Sequence, residues 1–203
     1  MNRDGSQFKR RSVPLCLERG DTSCFDLRTV PIITVSGTHS GVGKTGVVEA
    51  LLRVLKGWSA LKVTVSHGEG KCPVRKENDC HTCDELKDDF SIISNKKIIE
   101  TKGKDTARFK EAGAKKVLWL KCRPQALGDG LKEVIPLFKK AKGLVIESNS
   151  ALKHLKPDLA IFVRNKYSVF PASHLRKAAG SRLWREKPSA REIINKIDLV
   201  VTL

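Results

Sequence analysis

The chain has 203 residues, 40% of them apolar and 5% aromatic, and a formal net charge of +17. That apolar share supports one packed core of domain size, and no run of about eighteen apolar residues is present to cross a membrane. The charge excludes an acidic, self-solvating chain and favours anionic partners: a nucleotide, a phosphorylated cofactor or its biosynthetic enzyme, an acidic protein, or nucleic acid.

Residues 1–30 mix Pro, Gly, Ser and both signs of charge without periodicity, and are expected to form a flexible N-terminal extension. The stretch opens polar and charged rather than apolar, unlike a secretory signal, so a cytoplasmic protein is expected. The remainder, 31–203, is expected to be one domain. Its first strand is Ile32 to Ser36, followed by a glycine-rich turn and a helix opening near Gly43, Lys44 and Thr45. Leu61 to Ser66 reads as a second strand. Residues 67–89 break the pattern and form a polar, Cys-bearing insertion. Phe90 to Ile93 and Lys97 to Glu100 flank a polar Ser-Asn-Lys turn and predict a hairpin. Asp105 to Gly113 predicts a short helix, Lys116 to Leu120 a strand, and Leu127 to Ala141 a helix with Leu131, Val134, Ile135 and Phe138 on one face. Gly143 to Glu147 and Leu159 to Val163 predict strands, with helices near 172–178 and 190–196 and a last strand from Leu199 to Leu203. Short apolar strands alternating with helices mean an α/β fold, doubly wound around a mostly parallel sheet.

The turn Gly37-Thr38-His39-Ser40-Gly41-Val42-Gly43-Lys44-Thr45 has the composition of a phosphate cradle. Glycines let backbone N–H groups converge on an anion, and a helix N-terminus adds partial positive charge. In that reading the backbone of Gly41, Val42, Gly43, Lys44, Thr45 and Gly46 holds phosphates. Lys44 reaches the terminal ones and the Thr45 hydroxyl sits on Mg²⁺. The strict motif wants its first glycine at position 38; here Gly37 stands one residue earlier. Glu147 ends an apolar strand, where a carboxylate reaches the same Mg²⁺, and is paired with Lys44 as the catalytic candidate. Asp105 opens a predicted helix, either as its side-chain cap or as a nucleotide contact together with Arg108 three residues on.

Six cysteines in such a chain point to metal or redox use rather than a disulfide framework. Cys80 and Cys83 have the two-residue spacing that lets two thiolates grip one ion, and Cys72 offers a third. Zn²⁺ or an iron–sulfur cluster would suit them, with Cys122, His67 or His81 as a fourth ligand.

The glycine-rich turn, the Lys104-Asp105-Thr106-x-Arg108-x-x-x-Ala112-Gly113-Ala114 stretch and the strand ending at Glu147 together resemble the molybdopterin-guanine dinucleotide biosynthesis adaptor proteins. The likeness covers roughly residues 31–165. It implies a P-loop NTPase fold and a bound nucleoside triphosphate, GTP before ATP, with Mg²⁺. It further implies weak NTPase activity in molybdopterin-type cofactor biosynthesis and a possible homodimer. The turn is also similar to those of dethiobiotin synthetase and cobyrinic acid diamide synthase, which implies an ATP-dependent carboxylate-activating ligase as an alternative. A further alternative is a metal-containing basic module that binds nucleic acid through residues 151–196, where eleven basic side chains face three acidic ones. The superclass often has Lys where this chain has His39, and an acidic residue after the second strand where this chain has Ser66 and His67. For the base, Asn165 and Lys166 follow a predicted strand, the context in which guanine-selective residues sit. Asn195-Lys196-Ile197-Asp198 matches the guanine motif in letters but follows a predicted helix.

Overall fold

In a computed structural model, which describes residues 30–66, 86, 88–166 and 196–203, the apolar runs form one seven-stranded sheet. The strands are β1 (Ile32–Gly37), β2 (Ser59–Val65), β3 (Phe90–Ile93), β4 (Val117–Cys122), β5 (Leu144–Glu147), β6 (Leu159–Arg164) and β7 (Leu199–Thr202). Their spatial order is β3-β4-β2-β5-β1-β6-β7. Only β3 runs antiparallel, against β4; every other pairing is parallel.

Central strands of such a sheet are buried on both sides, which is why they read as continuous apolar runs. Alternate residues of each strand feed two cores. On one face Ile32, Leu61, Leu120 and Ile146 pack with Leu127, Leu131 and Phe138. On the other, Ile33, Val35, Ala60, Val145 and Ile161 pack with Val48, Leu52 and Phe109. Leu52, Phe109, Leu131 and Phe138 are nearly or wholly buried, each contributing about 2 kcal/mol by leaving water. This is an α/β fold with helices on both faces of a mostly parallel sheet.

Among the described residues four short α-helices accompany it: α1 (Lys44–Val54), α2 (Lys96–Ile99), α3 (Asp105–Glu111) and α4 (Leu127–Val134). Val48 and Leu52, four residues apart, give α1 its buried stripe. A left-handed Gly113, φ 100°, follows α3 and turns the chain toward β4.

Two expectations are corrected. No hairpin forms at 90–100: Phe90–Ile93 pairs with β4, and Lys97 lies in α2. Asn95 decides this, because its side chain accepts the Lys97 amide and caps a helical turn that buries Ile99. The helix expected over 127–141 stops at Val134 and continues as a 3₁₀ turn from Ile135 to Phe138. Pro136 there has no N–H to donate to an α-helical bond. The expected extension 1–30 (apart from Val30), the insertion 67–89 (apart from Leu86, Asp88 and Asp89), the helix near 172–178 and most of that at 190–196 lie outside the described residues.

Candidate functional site

Parallel strands put the carboxyl ends of β1, β2 and β5 on one edge, where open α/β sheets receive their ligands. A cleft of about 860 Å³ opens there. Its walls include the loop and helix start at Gly43 to Gly46, Lys62 of β2, Asp105 and Arg108 of α3, and Glu147 of β5.

The glycines explain the loop. Gly37 is still strand: a Cβ on it would stand 2.8 Å from both the Val163 carbonyl oxygen of β6 and a Val42 methyl. Such distances are too short for any side chain, so β1 can end against β6 only as glycine. Its amide donates to Asn149 Oδ1 at 2.9 Å, tying the end of β1 to the loop after β5. Gly41 and Gly43 turn the chain at φ 80° and 97°. Gly43 precedes α1 without any side-chain cap, and no acidic residue occupies the first turn. A helix start left so presents uncapped N–H groups and positive dipole to the cleft. Lys44 folds back, its Nζ donating to the His39 carbonyl at 2.6 Å.

Beside that helix start stand two carboxylates and an amine. Thr45 Oγ1 lies 3.0 Å from Asp105 Oδ1 and 3.2 Å from Glu147 Oε2. Lys62 Nζ lies 2.6 Å from both Asp105 Oδ2 and Glu147 Oε1. Glu147 is only 3% exposed, whereas Asp105 is 37% exposed at the mouth. Burial disfavours the Lys62 ammonium, but the charges and hydrogen bonds of Glu147 and Asp105 outweigh it and raise its pKa above 10.5. Burial works against ionised Asp105 as well; Lys62 first, then Thr45 and Arg108, overcome it and hold that carboxyl below 3.8. Asp105 is therefore an anion and Lys62 a cation at neutral pH, and the Glu147 carboxyl accepts from the same amine.

Asp105 is not the cap of its helix. Lys104 occupies that position without a side-chain bond, and Asp105, the first helical residue, reaches across to Thr45 and Lys62. Arg108 lines the cleft, but its guanidinium grips Glu49 of α1 through two bonds of 2.7 and 3.0 Å, joining α3 to α1. Asn165 follows β6 on the same sheet edge but outside the cleft wall. Asp198 belongs to the sheet: its carboxylate accepts the Ala160 amide at 2.7 Å. Cys72, Cys80, Cys83, His67 and His81 lie outside the described residues. Cys122 is wholly buried in the core at the end of β4, and burial pushes its thiol up to about 11. Among the described residues no group of three His, Cys, Asp or Glu side chains gathers around one point.

Lys62 is the site residue that motif reading missed. Its signal was present: a lysine inside an apolar run that becomes a central strand needs a buried partner. For Mg²⁺ the donor set fits, since two carboxylates and a hydroxyl are hard oxygen ligands beside a helix start suited to phosphate. No family model matches the chain, and no curated protein or solved structure does either.

Proposed function

We propose that the cleft binds a nucleoside triphosphate with Mg²⁺, and that the chain is a P-loop protein with slow NTP hydrolysis. The observation that carries this is the convergence of the Thr45 hydroxyl with Asp105 and Glu147 beside the uncapped start of α1. Backbone amides of residues 41–46 cradle the phosphates, and Lys44 swings from the His39 carbonyl to the terminal ones. Thr45, Asp105 and Glu147 hold the metal, which on binding would spread the charge of the phosphate oxygens. Lys62 bridges the two carboxyl groups and holds them in place beside Thr45.

The resemblance of the loop and of residues 104–114 to the molybdopterin-guanine dinucleotide adaptors supports a place in molybdopterin-type cofactor biosynthesis and GTP as the nucleotide. The test is thermal melting of the full chain with GTP or ATP, with and without Mg²⁺. A nucleotide- and Mg²⁺-dependent rise in Tm that Lys44→Ala abolishes is expected. No rise with either nucleotide, or a rise that Lys44→Ala leaves intact, overturns the reading.

A further inference from the structure

The opposite edge of the sheet has a different character. Strands β4, β2 and β5 are adjacent and parallel, with Ser59 beside Leu144 and Ala60 beside Val117. The segments entering them must therefore lie side by side, about 5 Å from one strand to the next. Backbone bonds knit them together: Lys115 N to the Trp58 carbonyl at 2.8 Å, and Lys142 N to the Gly57 carbonyl at 3.2 Å.

These segments, residues 56–58, 114–116 and 139–143, carry six lysines and no acidic residue. Lys56, Lys115, Lys116, Lys139, Lys140 and Lys142 are all exposed, and none is in an ion pair among the described residues. Several are held in place without being neutralised. Lys115 Nζ donates to the Lys140 carbonyl at 3.3 Å and Lys116 Nζ to the Leu137 carbonyl at 2.9 Å. Lys110 adds another, donating to the Ala114 and Lys115 carbonyls.

The chemistry of this ridge selects among polyanions. A protein partner would want an apolar or aromatic anchor, and lysine is depleted at such interfaces. No large hydrophobic is exposed within the three segments; Val54 and Leu137 flank them singly. A single nucleic-acid strand would want exposed aromatics for stacking, but Phe138 is buried and Trp58 packs against Gly143. Point charges on flexible stems, spread over adjacent loops, suit regularly spaced phosphates. We propose that this edge docks the phosphate backbone of a nucleic-acid duplex without reading its sequence. The surface lies at the other end of the strands from the cleft and does not depend on what the cleft binds.

The test uses the full chain, a short fluorescein-labelled DNA duplex and anisotropy across about 50 to 200 mM KCl. The wild type should bind with a steep salt dependence. The triple variant Lys115→Glu, Lys140→Glu, Lys142→Glu should lose at least about tenfold in affinity and flatten the log–log salt slope by about two to three. A charge-matched control, Lys97→Glu, Lys102→Glu, Lys156→Glu, should lose much less. Circular dichroism melting checks that both fold, and single Lys→Ala variants, each flattening the slope by about one, replace a triple that does not. Equal losses in the two triples would reduce the effect to overall charge and overturn the proposal. So would absence of duplex binding at the lowest salt, or tighter binding to phosphatidylserine vesicles with the same sensitivity to the triple variant.

Discussion

Lys62 and Glu147 face each other across neighbouring parallel strands, paired in register, with amine and carboxylate 2.6 Å apart. Glu147 is almost wholly buried, and Lys62 is its cationic partner, so each justifies the other. Removing one member of such a pair leaves a charge in low dielectric, whereas removing both charges does not. Lys62→Met is expected to lower stability by about 2 kcal/mol, below the usual range for a buried pair because Lys62 is partly exposed. Adding Glu147→Gln should return part of that loss. Urea unfolding of the two singles and the double provides the cycle, and strict additivity would refute the coupling.

The same cluster sets two limits on pH. Asp105 has a folded-state pKa below its unfolded value of 3.8, so its contribution is complete above that value and drains away as pH falls through the folded pKa. Lys62 has a folded-state pKa above 10.5, so its contribution is complete below that value and is lost as pH rises through the folded pKa. The difference in Tm between wild type and Asp105→Asn should stay constant near neutrality and shrink below pH 3.8. A difference that grows in acid would reverse the assignment.

Gly37→Ala tests the close approach of β1 to β6. The added methyl meets backbone oxygen on one side and Val42 on the other, and backbone cannot yield as a flexible side chain can. A loss of about 1–3 kcal/mol is expected, as for other overpacked sites. Gly46→Ala, inside α1 with nothing within 4 Å of the added carbon, is the control and should not destabilise, alanine being the better helix former by up to about 1 kcal/mol.

Arg108 and Glu49 form an exposed pair despite their two-bond geometry, the Arg108 side chain being 45% exposed. Breaking it with Arg108→Ala should cost less than about 1 kcal/mol. A larger change in the nucleotide-induced Tm shift than in Tm itself would show that Arg108 leaves Glu49 to meet a ligand. Equal small changes would confine it to joining the two helices.

Cys122 supplies a chemical readout. A thiol pushed up to about 11, buried at the end of β4 beside β3, has almost no thiolate at pH 8. Thiol labelling of native protein followed by peptide mapping should leave Cys122 unmodified, with labelling appearing only in denaturant. Rapid labelling in the folded state would mean that the end of β4 opens.

The strands were legible because a doubly covered parallel sheet demands apolar runs, and β1, β4, β5 and β6 lie within a residue or two of where those runs are. The short segment 97–100 misled because Ile98-Ile99 carries strand propensity while the Asn95 cap, a single side-chain bond, decides for helix. Pro136 was a visible stop inside an otherwise helical pattern, and the apolar face on either side of it masked the break. Thr45 and Glu147 could be placed together from local context. That Asp105 would join them could not, since it depends on how α3 and the strand order, with β5 inserted between β1 and β2, come together. Lys62 went unseen for the same reason: its partners are 43 and 85 residues away.

A threonine hydroxyl carries a single hydrogen, yet Thr45 Oγ1 stands within bonding distance of two carboxylates, Asp105 and Glu147. Only one of them can receive it at any moment. The other is left with an oxygen whose lone pairs point toward the hydroxyl's own, a small repulsion that the fold tolerates. The arrangement is thus one donor short of satisfying both oxygens at once. A cation bound to those oxygens would relieve the contest, and the hydroxyl would then be free to turn its hydrogen away from both.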